Sequence, residues 1–157
     1  MIYPRCFNRL SACEVVNTFD SFTGRDSRKP SGVYGFKSVS MCQIAVRIIR
    51  QMAMIAYLQR NPNLSFVAVC ESEIVGAVMC GHDGRRGYLN HLGVSSEYRR
   101  KGIAKELLNR VESGLIKAGI KKEALFVLCN NTSAQEFYEH IGWKEESIVK
   151  AYTKIIS

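Results

Sequence analysis

No stretch of this chain is apolar for long enough to cross a bilayer, and its start, Met1-Ile-Tyr-Pro-Arg5, lacks the basic-then-apolar pattern of a secretory segment. Membrane association is therefore not expected, and the cytoplasm is the expected location. There is no Cys-x-x-Cys pair and no histidine at finger spacing. The six cysteines (Cys6, Cys13, Cys42, Cys70, Cys80 and Cys129) stand singly, so neither a metal site nor a disulfide framework is suggested, and most read as small buried hydrophobes. Internal repeats and low-complexity segments are absent too. An RNP-type aromatic strand and a helix-turn-helix signal are both missing, which argues against nucleic acid as the partner.

What is present fits one core. With 157 residues, 46% apolar and 23% charged, the chain is expected to form a single domain over residues 1–157. Its net charge of +8 favours an anionic partner, for which a polyphosphate cofactor, a nucleic acid and a membrane surface all qualify on charge alone.

Thr23 to Ser38, rich in Gly, Ser, Arg and Lys, reads as a surface loop. Before it, Ser11 and Glu14 have capping-box spacing, and Ala12, Val15, Val16, Phe19 and Phe22 recur with a helical period. After it, Ser40 and Gln43 open a second expected helix with Ile44, Ile48, Met52 and Ile55 on one face, closed by Asn61-Pro62. From Leu64 the period changes. Leu64 to Cys70, Ile74 to Cys80 and Tyr88 to Val94 read as an antiparallel meander with turns at Glu71-Ser-Glu73 and Asp83-Gly84. Ile103, Leu107, Val111 and Leu115 then mark a helix that Gly119 ends, supported by a Glu106/Arg110 pair. A short strand over Ala124 to Cys129, a helix carrying Phe137, Tyr138 and Ile141 and stopped by Gly142, and a closing strand over Ile148 to Ile156 complete an α+β pattern with a mixed sheet.

The most informative segment is Tyr88-Leu-Asn-His-Leu-Gly-Val94, followed by Ser-Ser-Glu-Tyr98 and Arg99-Arg-Lys-Gly-Ile-Ala104, which leads directly into the amphipathic helix. A glycine turn at a helix start aims several backbone N–H groups at one point, where the helix dipole adds positive potential, and this suits a phosphate or pyrophosphate. Gly102 keeps the approach bare, and Arg99, Arg100 and Lys101 add charge. Taken alone, the hexapeptide reads better as a solvated basic loop before an ordinary helix.

In its setting after a strand ending Leu-Gly-Val, it resembles the Arg/Gln-x-x-Gly-x-Gly/Ala motif of the GNAT acetyltransferases. Asn131-Thr-Ser-Ala134-Gln-Glu-Phe137-Tyr138-Glu-His-Ile-Gly142-Trp143 is similar to that family's second signature, Asn-x-x-Ala-x-x-Phe/Leu-Tyr-x-x-x-Gly-aromatic. The resemblance runs from about Leu64 to the C-terminus, and Val75-Gly-Ala-Val-Met-Cys80 with the Asp83-Gly84-Arg-Arg-Gly87 hairpin is similar to small bacterial members. Residues 1–60 match the family's opening poorly.

The resemblance implies the acyl-CoA N-acyltransferase fold, a mixed and mostly antiparallel sheet flanked by helices. It also implies an enzyme that passes acetyl from acetyl-coenzyme A (acetyl-CoA) to a primary amine of a small molecule or peptide by direct attack in a ternary complex. Leu92, Gly93 and Val94 would pair with the pantetheine arm, and an amide near Leu92 would polarise the thioester carbonyl. Arg99, Arg100, Lys101, Gly102, Ile103, Ala104 and Lys105 would hold the pyrophosphate, and Asn131 would bond the pantetheine arm. Asn131 reads independently as a helix N-cap.

Tyr138 would protonate the departing thiolate, a task within reach of a phenol with a pKa of about 10; as an amphipathic core tyrosine beside Phe137 it would do nothing chemical. The base is open. Where a ribosomal-protein acetyltransferase of this fold carries a glutamate, this chain has Phe126, which takes no proton. His91 is one replacement and a water relay another, while Asp83, Glu71 and Glu73 fall in solvated turns. The competing class is a non-catalytic acyl-CoA-binding module that has kept the cradle and lost its base. Nothing in the sequence sets the oligomeric state, and a homodimer is compatible with it.

Overall fold

The computed structural model of the chain describes residues 13–17 and 51–156, and these fall into two compact units, one ending at Leu125 and the other beginning at Phe126. The first unit holds a five-stranded sheet in sequence order. Its strands are β1 (Cys13–Asn17), β2 (Phe66–Cys70), β3 (Glu73–His82), β4 (Gly87–Val94) and β5 (Glu123–Leu125). Neighbours are antiparallel except β4 and β5, which run parallel across helix α2 (Ile103–Lys117). Helix α1 (Gln51–Arg60) precedes β2, and α3 (Thr132–His140) belongs to the second unit. The mixed, mostly antiparallel sheet with flanking helices is the expected fold class.

Alternation along β3 assigns its faces. A Cβ on Gly76 would lie 3.2 Å from Ile103 and 3.3 Å from Leu107, so Gly76, Val78 and Cys80 face α2. A Cβ on Gly81 would lie 2.6 Å from the Tyr57 hydroxyl, so Gly81, Met79 and Ala77 face the side of α1. Ile103, Leu107, Leu108, Val111 and Leu115 are all buried, as the four-residue spacing requires of a helix laid on a sheet. Two cross-strand partners place Leu89 with Cys80 and Leu92 with Val78 on the α2 side.

Both glycine helix stops read from sequence are Schellman caps. At α2, Ile120 donates to the Leu115 carbonyl and Gly119 to that of Ile116, with Gly119 at φ 78° and Ile120 buried against the helix end.

Three expectations change, and a fourth is described only in part. The segment read as a helix from Ser11 contains strand β1: Val15 and Val16 pair with Ala68 and Val67, because β2 is buried and requires a hydrogen-bonded neighbour on that edge. The start of the helix read from Ser40 lies outside the described residues; within α1, Leu58 is buried and Ile55 exposed. The strand read over Ala124 to Cys129 is regular only through Leu125. The closing strand over Ile148 to Ile156 does not form. Alternation supplies its pattern, but a strand needs a partner ladder, and among the described residues none pairs with it; Ile148, Tyr152, Ile155 and Ile156 are exposed.

Cysteine usage departs from expectation as well. The β1–β2 register sets Cys13 opposite Cys70, and the two are joined as a disulfide. A separation of 57 residues gave no hint of it. Cys80 remains a buried thiol whose pKa burial pushes up to about 12, with Glu123 adding to the shift. No described helix is long and apolar enough to cross a membrane.

Glu123 opens β5 with one carboxylate oxygen buried and without a hydrogen-bond partner, and burial, reinforced by Glu112, raises its pKa from 4.5 to about 7. A carboxyl raised on folding is easiest to accommodate when protonated, so its destabilising influence sets in as pH rises from about 4.5 and is complete above about 7. Glu123→Gln is expected to raise the melting temperature at pH 8 and to leave it nearly unchanged at pH 4. Melting curves at the two values check this.

Candidate acyl-carrier site

Strand β4 carries a bulge. Its register with β3 runs Cys80 with Leu89 and then Met79 with His91, leaving Asn90 as the extra residue. The ladder to β5 covers only Gly87, Tyr88 and Leu89. From the bulge onward, no described strand pairs with the outer edge of β4, where Leu92, Gly93 and Val94 lie. Extended backbone with an open edge accepts another extended chain, peptide or otherwise. One group on that stretch is engaged: the Val94 carbonyl accepts from Arg99 Nε at 3.2 Å.

The chain leaves β4 through a single 3-10 turn at Ser96–Tyr98 and reverses into α2 at a left-handed residue, Gly102, with φ 82° and ψ −4°. That conformation is easy only for glycine, and among the described residues nothing lies within 4 Å of where its Cβ would be, so the turn is bare on its outer side. Arg100 is left-handed too, at φ 61°. Among the described residues no side chain caps α2, and its first backbone bond runs from Glu106 N to the Gly102 carbonyl at 3.0 Å. Helix geometry therefore leaves the N–H groups at the start of α2 to an outside acceptor.

Charge around this turn is mostly positive, with Glu97 of the 3-10 turn the exception. Arg99, Arg100, Lys101 and Lys105 are all exposed, while Glu106, the acid of the first turn, is paired with Arg110 at 3.0 Å. Lys101 Nζ sits 4.6 Å from the centre of the Tyr98 ring. Ile103 is buried beneath the sheet, so only its backbone can serve an anion, and Ala104 is half-buried beside it.

His91 pairs with Met79 and so lies on the α1 side of the sheet. It is exposed, yet the surrounding sheet withdraws enough water to hold its pKa below the ordinary value, which keeps the imidazole neutral at pH 7. Asp83 accepts from the amides of Arg85 and Arg86 at 2.8 Å each, and these bonds lower its pKa. It is a hairpin-turn carboxylate.

The second unit is built around α3. Asn131 is its N-cap, accepting from Ala134 N at 3.3 Å. At the other end Gly142 takes φ 96°, Trp143 donates to the Tyr138 carbonyl and Gly142 to that of Glu139, a second Schellman cap. Tyr138 is half-buried with its ring 5.6 Å from Trp143 and 5.2 Å from Phe137, edge to face in both cases. Much of the second signature thus has a local structural reason. Phe126 is exposed.

Sequence reasoning found the turn, the strand and the helix but missed Asn90 and its partner Tyr57, whose contact at 2.6 Å ties α1 to the bulge. Asparagine inside an otherwise apolar strand was the available signal. Among the described residues no group of three or more His, Cys, Asp or Glu stands together to hold a metal ion.

Known proteins share this chain's family motifs and fold. "Acetyltransferase SG1711" of Sodalis glossinidius (strain morsitans) is 38% identical over 92 residues, 59% of this chain and 65% of the relative; the chain thus spans about two thirds of that relative's length. A solved structure of the aminoglycoside N-acetyltransferase AAC(6')-Iy with CoA superposes with a TM-score of 0.66 at 17% identity, covering 90% of this chain and 94% of the other. A ribosomal-protein-alanine N-acetyltransferase from Brucella melitensis gives 0.61 at 17% identity, covering 92% and 99%. These likenesses are of fold, the acyl-CoA N-acyltransferase fold. The Acetyltransferase (GNAT) family matches residues 39–143, a span that includes the β4 bulge, the Gly102 turn and the Asn131–Trp143 signature, and the chain belongs to that family.

Proposed function

We propose that the protein transfers an acetyl group from acetyl-CoA to a primary amine of a small molecule or peptide. The observation that carries this is the parting of β4 from β5 at Asn90, which leaves an open strand edge running straight into the bare, basic turn at Gly102. The edge suits the amide-containing pantetheine arm, and the turn suits the pyrophosphate.

In this reading the outer-edge backbone of Leu92, Gly93 and Val94 pairs with the arm, and an amide near Leu92 steadies the oxyanion as the amine attacks the thioester carbonyl. Backbone N–H groups from Gly102 to Lys105 hold the pyrophosphate, with Arg99, Arg100 and Lys101 supplying charge around it. Asn131 bonds the arm as well as capping α3. Neutral His91 takes the ammonium proton, directly or through water, and Tyr138 returns one to the thiolate. That residues 1–157 act as one domain belongs to the same reading.

The test is turnover. The purified chain is given acetyl-CoA and a panel of aminoglycosides, polyamines and N-terminal peptides, and free thiol is followed. Thiol release that depends on the added amine supports the enzyme. Tight acetyl-CoA binding with no release on any amine favours the competing reading, a binding module, which the exposed Phe126 in place of a carboxylate motivates.

A further inference from the structure

A bulge is a movable defect. Shifting the extra residue one place along β4 would exchange the faces of the residues it passes, so something must hold it at Asn90 if His91 to Val94 are to keep the phase described above. The structure offers a pin outside the sheet. Asn90 Nδ2 donates to the Tyr57 hydroxyl at 2.6 Å and to the Tyr88 carbonyl at 3.3 Å, spanning the defect from helix α1 to the strand itself.

Tyr57 reaches that point because the sheet makes room for it. A Cβ on Gly81 would stand 2.6 Å from the hydroxyl and 2.7 Å from the Asn61 side chain, so only glycine allows both to lie on β3. Asn61, 5% exposed, anchors the same end of α1: its Nδ2 donates to the Tyr57 carbonyl at 3.0 Å and its Oδ1 accepts from His82 N at 3.1 Å. The helix end is therefore fixed to β3 by Asn61 and to β4 by Tyr57, on either side of the bulge. Burial pushes the Tyr57 hydroxyl up to about 12, so it stays protonated wherever the protein would be assayed.

We infer that Tyr57 is a positioning residue: through Asn90 it pins the β4 bulge in place and so sets the strand edge, Leu92 to Val94, that receives the acyl thioester. The second half of this rests on the acyltransferase reading; the pin itself does not.

Two variants separate it from ordinary packing. Tyr57→Phe keeps the ring and removes the hydroxyl, and Asn90→Ala removes the amide. In the free protein, backbone amide resonances of His91 to Val94 are expected to move in both variants while those at the centre of α2 stay in place. Acetyl-CoA affinity, read by calorimetry, should fall about five- to tenfold in each, as the loss of one well-placed hydrogen bond implies. The double variant should fall no further than Asn90→Ala alone, since that variant has already lost the contact that Tyr57→Phe removes. The loss should be the same at pH 6 and pH 9. Unmoved amides, or losses that add in the double variant, would overturn the pin. A parent chain that binds no acetyl-CoA, with amides that nonetheless move in the variants, would overturn the acyltransferase reading and leave the pin supported.

Discussion

Gly102→Glu is expected to raise the dissociation constant for acetyl-CoA by about 100-fold or more, which removes about 2.7 kcal/mol or more of binding free energy. Two effects combine. An L-residue at φ 82° carries strain of roughly 1–2 kcal/mol, which the chain relieves by turning the Gly102 carbonyl and the neighbouring amides away from their common focus. The new carboxylate would then stand where the proposed function seats the pyrophosphate, at the positive end of α2. Because Gly102 is exposed and no described residue lies within 4 Å of its missing Cβ, the variant should melt within a few degrees of the parent. Gly102→Ala supplies the strain without the charge and should fall between. Calorimetry on the three proteins checks the series; parental affinity in the glutamate variant would show that the phosphates bind elsewhere.

Tyr138→Phe is expected to lower turnover by about 10²- to 10⁴-fold, the usual range for general acid assistance, with acetyl-CoA affinity nearly unchanged. The described ring and backbone contacts survive the substitution. The Tyr138 carbonyl, which closes the α3 cap, is backbone and survives, and the ring contacts with Trp143 and Phe137 are available to phenylalanine. A loss of rate with a preserved melting temperature therefore reports on the hydroxyl. The loss should shrink with an acyl donor whose thiol is more acidic than coenzyme A, because such a leaving group needs less protonation. Parental turnover, with chemistry shown to limit the rate, would make Tyr138 a packing residue of the cap.

How far the sequence could be read follows the size and type of each signal. Helix α2 was legible because Ile103, Leu107, Val111 and Leu115 repeat over four turns, long enough for a 3.6-residue period to stand out. Gly119 and Gly142 were legible because a left-handed cap is a one-residue requirement that side chains other than glycine seldom meet. Strand β1 was not, since Cys13–Asn17 is five residues and Ser11 with Glu14 mimics a capping box; what decides its state is the vacant edge of β2, which no local pattern records. The Cys13–Cys70 pairing is a product of the same register. The Ile148–Ile156 pattern errs the other way, offering alternation without a ladder to join. At the site, motif spacing located the turn and the strand, whereas the Asn90 bulge and its Tyr57 contact depend on where a helix 33 residues earlier comes to rest.

The second Schellman cap also has an optical consequence. Trp143 is the chain's one tryptophan, and the cap holds its indole against the Tyr138 ring. All indole emission from this protein thus arises beside the tyrosine proposed to serve the leaving thiolate, and tyrosine excitation there passes readily to its neighbour. Light absorbed at the red edge of the band, where only the indole responds, reports on the end of α3 without any introduced label. Fraying of that cap in denaturant would be seen as a red shift and loss of transfer, separately from melting of the sheet, which carries no tryptophan of its own.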